Sequence, residues 1–185
     1  MREIEIKASV ADKAALMQKL HEANVTLSEP VTQRDQVFGL PDIAGGGDNH
    51  APWLRLRTET KGDATTYVFT LKKSVTNQLD SIEHETEITD PFEVIKIIEH
   101  IGFTPYSDST KMRAKAQIGD IELCVDSVEG LGDFIEAEKL TEESADYDTV
   151  AATLWALLES LGVTRDAQVS DGYDVLIRAK QGLKG

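Results

Sequence analysis

Arg2-Glu3-Ile4-Glu5-Ile6-Lys7-Ala8 alternates charged and apolar side chains without a break, which is the two-residue period of a β-strand. Successive side chains leave a strand on opposite sides, so Glu3, Glu5 and Lys7 share one face and Ile4, Ile6 and Ala8 the other. The same alternation recurs along the chain. Arg55 and Arg57 oppose Leu54 and Leu56, and Lys72, with Thr70 and Thr66, opposes Tyr67, Phe69 and Leu71. Glu83, Glu85 and Glu87 align, as do Lys111, Arg113 and Lys115 against Met112, Ala114 and Ala116. Asp120, Glu122 and Asp126 oppose Ile121, Leu123 and Val125, and Glu136 and Glu138 oppose Ile135 and Ala137. Two architectures hold such a pattern. Either the apolar faces meet in a core and the charges face water, or the apolar faces pack outward on helices and the charges line a barrel. The charges are sorted by sign from strand to strand, although like charges about 7 Å apart on one face repel.

Working outward from these rows, the spacing predicts strands near 2–10, 31–40, 53–60, 65–74, 81–89, 109–118, 120–128 and 132–139. Turns are expected at Lys61-Gly62-Asp63, at Ile118-Gly119-Asp120 and at Glu129-Gly130-Leu131-Gly132. A helix follows the N-cap candidate Asp12, with Leu16, Leu20 and Ala23 as its apolar stripe and Met17 beside it. A second opens at Pro91 and carries Phe92, Ile95 and Ile98; a third spans about 146–161 with Val150, Leu154, Leu157 and Leu158 inward. A short tail helix holds Tyr173, Leu176 and Ile177. The stretches 39–52 and 76–80 read as mobile loops. Gly45-Gly46-Gly47 lacks both the strand-to-helix context and the Lys-Ser/Thr of a phosphate loop. About eight strands with short connections favour an antiparallel sheet that curls or closes, and 1–185 reads as one domain.

The 185 residues carry a net charge of −14, which repels polyanions and argues against a nucleic-acid polymer as partner. An anionic substrate therefore needs a locally basic or metal-loaded site. No apolar run is long enough for a membrane span, and carboxylates stand where a signal peptide needs an apolar stretch. The lone Cys124 makes no internal disulfide and reads as a small core or lining residue, so a reducing cytoplasm is the expected compartment.

At this point the residues resemble a family. Glu3-Ile4-Glu5-Ile6-Lys7 is similar to the Glu-x-Glu-x-Lys opening of the CYTH family, the triphosphate tunnel metalloenzymes. The resemblance continues through Gln33-x-Asp35-x-Val37-Phe38, Leu54-Arg55-Leu56-Arg57, Thr70-Leu71-Lys72-Lys73, Glu83-x-Glu85-x-Glu87 and Lys111-Met112-Arg113. It ends on Val125-Asp126-Ser127-Val128-Glu129-Gly130-Leu131-Gly132-Asp133-Phe134-Ile135-Glu136-Ala137-Glu138, which looks most like the class IV adenylyl cyclase and thiamine-triphosphatase-like branch. The resemblance implies an α+β fold: an eight-stranded antiparallel β-barrel, or tunnel, with a charged interior and flanking amphipathic helices. The chain departs from the family pattern at Val37, where an aromatic is common. It departs again at Ser81-Ile82, ahead of the glutamate triplet, where cyclase-branch members carry an arginine. The second loss bears on cyclisation more than on triphosphate binding.

Charge then distributes the roles. A triphosphate carries about four negative charges, and the hard cations Mg²⁺ or Mn²⁺ accept both carboxylate and phosphate oxygens. Glu3, Glu5, Asp126, Glu136 and Glu138 are the expected metal ligands. Lys7, Arg55, Arg57, Lys72, Lys111 and Arg113 are the expected grip on the phosphates. Lys115 and Arg34 read as surface residues. Glu5 and Glu85 are candidates to orient the nucleophile, with Lys7 completing the catalytic set. Expected activity is metal-dependent hydrolysis of a nucleotide or other organic or inorganic triphosphate, or cyclisation of ATP to cyclic AMP and pyrophosphate. The substrate is a small molecule, no membrane is involved, and a homodimer is compatible with the sequence. The alternative is a barrel that binds polyphosphate, metal or a small ligand without turnover. In its apolar-ligand form Ile4, Leu54, Phe69 and Leu123 would point inward.

Overall fold

The computed structural model describes residues 1–41 and 51–183. The glycine-rich stretch 45–47, and with it most of the 39–52 loop, lies outside the described residues. Among the described residues nine strands form one sheet. β1 (Arg2–Val10) is followed by helix α1 (Lys13–Glu22) and β2 (Val31–Gly39). Then come β3 (Trp53–Lys61), β4 (Ala64–Asn77), β5 (Asp80–Ile88) and α2 (Pro91–His100). β6 (Thr104–Ile118), β7 (Ile121–Val128), β8 (Gly132–Thr141) and α3 (Tyr147–Ser160) follow, then β9 (Gln168–Val169) and α4 (Tyr173–Lys180). The sheet order is β5-β4-β3-β2-β6-β7-β8-β1-β9, and a further antiparallel pairing of β1 with β5 closes the first eight strands into a barrel. That closing seam is short. Only Arg2 to Ile4 pair with β5, and farther along Lys7 and Ala8 pair with β9 instead.

Closure decides which face is inside. Ile4, Ile6, Leu123, Val125 and Ile135 point outward into a core completed by Leu16 and Leu20 of α1 and Leu154, Trp155 and Leu158 of α3. Phe38, Leu54 and Leu56 meet Ile98 of α2, with Phe69 packed beside them. The apolar-ligand alternative is thereby overturned, because the side chains it placed inside are those that hold the helices on. Asp12, Asp90 and Asp146 cap the three larger helices, accepting from the backbone N–H of Ala15, Glu93 and Thr149 at 2.9–3.0 Å. Among the described residues no helix is long and apolar enough to cross a membrane.

Three local expectations need correction. β6 starts at Thr104 instead of 109, since Thr104 and Pro105 pair with Gly39 and Phe38 beyond a bulge at Tyr106 of β6. Phe92 is 76% exposed, because α2 docks through Ile98 with Val94 and Ile95 beside it. Residues 76–80 are a tight strand connection, not a loose loop. Asp80 is wholly buried and takes two hydrogen bonds from the Arg2 guanidinium, at 2.6 and 2.8 Å. Arg2 also donates to the carbonyls of Glu143 and Ala145, and Thr76 donates to Asp80. Burial would raise the Asp80 carboxyl, but Arg2 and Thr76 hold it below the usual range. Its contribution is thus complete near neutral pH and fades as pH falls below about 4. Asp80→Asn, which leaves the guanidinium buried without its counter-charge, is expected to lower stability by about 3 kcal/mol in urea unfolding.

Candidate active site

The inward rows converge on a cavity of about 500 Å³. Glu3, Glu5 and Lys7 reach it from β1, Arg55 and Arg57 from β3, and Lys72 from β4. Glu83 and Glu85 reach it from β5, Lys111 and Arg113 from β6, and Glu136 and Glu138 from β8. A smaller cavity of about 260 Å³, bounded by Gln33 and Glu59, adjoins at Arg113 and Lys115. Most of these charged groups are buried: Glu5, Lys7, Arg57, Lys111, Arg113, Glu136 and Glu138 are each under 10% exposed.

Acidic groups gather where β1 meets β8. Register pairs Glu5 with Glu138 and Lys7 with Glu136, and carboxylate oxygens of Glu5, Glu136 and Glu138 lie within 4.8 Å of one another. Burial and the neighbouring Glu136 raise the Glu5 carboxyl. Burial also lifts Glu138 well above its usual range against the pull of Arg113, with Glu3 and Glu136 adding repulsion. Glu136 is opposed by the same burial, yet Arg113 and Lys7 hold it well below. Glu5 Oε1 is buried without a well-formed hydrogen bond, its nearest cation being the Lys7 ammonium at 3.2 Å. An orphaned buried carboxylate oxygen facing two further carboxylates is the donor set of a hard divalent cation. These residues fit Mg²⁺ or Mn²⁺. Glu3 lies outside this trio, raised to about 7 by burial and by Glu83.

Opposite lies the basic wall. Lys72 Nζ is 2.8 Å from Glu83, and Arg55 donates to Glu85 at 2.9 Å and Thr70 at 3.2 Å. Burial would raise Glu83, but Lys72 and Arg55 hold it at about 2. Arg57 is clamped by Asp35 through two 2.7 Å bonds. Lys111 is the loosest cation, 3.7 Å from Asp126 and 3.9 Å from Asp35, and burial with repulsion from Arg113 lowers it to about 8. Arg113 is fully engaged by Asp126, Glu136 and Glu138.

Not every expected site residue shares the cavity. Asp126 is wholly buried behind Arg113, where it also accepts from the Tyr173 hydroxyl at 3.0 Å, so it stands apart from the acidic trio. Glu85 is half-exposed, and Glu83 is the deeper member of its triplet. Lys115, expected on the surface, reaches the cavity and pairs with Glu122 at 2.7 Å, whereas Arg34 is exposed on Asp108. Cys124 is wholly buried, its thiol donating to Glu138 at 3.6 Å. Sequence reasoning missed Asp35, Glu83 and Tyr173. The first two stood in quoted motifs without roles. Tyr173 sits over the ammonium groups of Lys7, at 4.2 Å, and Lys111, at 4.9 Å.

Comparison with known proteins adds four findings. The CYTH domain family matches residues 1–173. The chain is 27% identical over 173 residues to the "Putative adenylate cyclase MJ0240" of Methanocaldococcus jannaschii, covering 94% of this chain and 97% of that one. The PH1819 protein of Pyrococcus horikoshii superposes with a TM-score of 0.82 at 24% identity, over 96% of this chain and 99% of that one. The HpAC1 protein of Hippeastrum superposes at 0.60 with 17% identity, over 98% of this chain and 96% of that one; its structure is described as revealing a dominant triphosphatase activity. Likeness at these structural identities speaks for the fold alone.

Proposed function

The chain belongs to the CYTH domain family, and from that premise we propose that it is a divalent-cation-dependent enzyme that cleaves the triphosphate of a small molecule. The observation that carries the reading is the orphaned Glu5 oxygen facing Glu136 and Glu138, across the tunnel from a wall of cations. Glu5, Glu136 and Glu138 would hold Mg²⁺ or Mn²⁺, with Glu3 nearby; such an ion neutralises phosphate charge and acidifies a bound water. Lys72, Arg55 and Arg57 orient the phosphate chain, and exchange their carboxylate partners for phosphoryl oxygens to do so. Lys7 and Lys111 extend the same grip past Tyr173. In hydrolysis a water oxygen attacks the terminal phosphorus, the bridging P–O bond breaks, and the diphosphate leaves. Glu5 is deep enough to orient that water; Glu85, half-exposed, serves the mouth end.

Cyclisation of ATP is the second reading, supported by the name of the Methanocaldococcus relative. Ser81 and Ile82, where an arginine would stand, weigh towards hydrolysis. Offering ATP, thiamine triphosphate and tripolyphosphate with each metal and following products by ³¹P NMR tests both. Orthophosphate is the expected product; pyrophosphate with a cyclic nucleotide would establish the second reading, and no product from any pair would refute the proposal.

Lys111 adds a pH signature. With its ammonium lowered to about 8, its charge is present below that pH and lost above it. KM for tripolyphosphate is expected to rise above about pH 8, and Lys111→Arg to move that rise to higher pH.

A further inference from the structure

We infer that Tyr173 is a positioning residue of the phosphate-binding wall, the face of its ring holding the ammonium groups of Lys7 and Lys111 in place for phosphoryl oxygens. This rests on the triphosphate reading above and assigns within it a residue from outside the barrel. Tyr173 opens α4, lines the cavity and is 9% exposed. Lys7 Nζ lies 4.2 Å and Lys111 Nζ 4.9 Å from its ring centroid. The two lysines stand on β1 and β6, which β7 and β8 separate in the sheet, so one ring gathers cations from strands that do not touch.

A lysine carries a compact charge on a flexible four-carbon stem, so its ammonium goes where its neighbours draw it. Glu5 and Glu136 stand 3.2 and 3.3 Å from Lys7, and Asp126 and Asp35 stand 3.7 and 3.9 Å from Lys111. An ammonium gripped by carboxylates alone must leave them before it can take up a phosphate. An aromatic face attracts the same cation through its quadrupole, most strongly where water is excluded, and adds no net charge to repel the phosphates. The ring itself is fixed. Its hydroxyl donates to Asp126 at 3.0 Å, and Phe134 packs against it edge-on with centroids 5.1 Å apart. The backbone ahead of it is tied as well: the Gly172 N–H donates to Gln78 Oε1 at 2.9 Å, and Lys7 donates to the Asp171 carbonyl at 3.4 Å.

The test keeps the shape of the side chain and changes only the charge on its face. Tyr173→Phe in the full chain sets the reference, and phenylalanines with increasing numbers of ring fluorines then replace it, each fold being checked by circular dichroism. Fluorine drains negative charge from the ring face, so KM for tripolyphosphate is expected to rise stepwise, reaching about tenfold with the most fluorinated ring, while kcat changes less. A ring that merely fills space would give the same KM throughout, and that result would overturn the inference. A KM that falls with fluorination would also overturn it, by placing the ring against the phosphates instead of the lysines. Wild-type protein that neither binds nor turns over tripolyphosphate would refute the triphosphate reading itself, and this inference with it.

Discussion

The Glu5→Gln protein is expected to lose metal-dependent turnover by about 10³-fold while keeping its far-ultraviolet circular dichroism. The substitution is isosteric and removes one negative charge from a buried trio whose ligand oxygens stand within 4.8 Å of one another. No hydrogen bond depends on Glu5 Oε1, so the fold loses little when it goes. A donor aimed at the reacting phosphate through a cation is worth several kcal/mol to the transition state, which sets the size of the expected loss. Stability should move the other way. Burial and Glu136 disfavour the charged form of Glu5, so the neutral amide is expected to raise the thermal midpoint of the metal-free protein. Mn²⁺ should then stabilise the wild type and leave the variant almost unmoved. Turnover within tenfold of wild type would remove Glu5 from the metal-binding set.

Arg113→Met is expected to do the opposite: it should damage the fold first. Its guanidinium is the shared partner of Asp126, Glu136 and Glu138, and all three carboxylates are at least nine-tenths buried. Methionine keeps the stem and removes the charge, leaving those carboxylates with Lys7 and Lys111 as their nearest cations. Breaking a buried ion network by deleting one member costs on the order of 3–5 kcal/mol, read as a lower midpoint in urea unfolding. Mg²⁺ should restore part of the loss, because Glu136 and Glu138 belong to the acidic cluster. If Arg113 served chiefly as a phosphate contact, the variant would unfold like the wild type and only KM would rise. The contrast with Lys72 is one of partners: Lys72 answers chiefly to Glu83 and remains a quarter exposed towards the cavity.

The alternation in β1, β3, β6 and β8 was enough to sort every residue by face, because a strand has only two. It could not choose the inward face alone; closure through the β1–β5 seam does that, and the resemblance supplied the closure. Nor does a two-residue period tell depth along the tunnel. Glu83 and Glu85 share a face, yet the first is held deep by Lys72 and the second is half in solvent. Asp126 shares a face with Glu122 but sits behind Arg113, held there by the guanidinium and by the Tyr173 hydroxyl from a helix 47 residues away in the chain. The Arg2–Asp80 pair joins residues 78 apart and left no periodic trace, which is why 76–80 read as a loop. Tyr173 was placed on the tail helix by its apolar neighbours, but its reach to Lys7 and Lys111 depends on β9 docking two residues against β1.

Anomalous scattering from Mn²⁺ in crystals grown with a non-hydrolysable triphosphate analogue tests the enclosed metal–triphosphate site most directly. The account predicts a manganese peak bonded to Glu5, Glu136 and Glu138, with the phosphates between it and Lys72, Arg55 and Arg57. A peak on the outer surface, or phosphates bound away from the barrel interior, would contradict it.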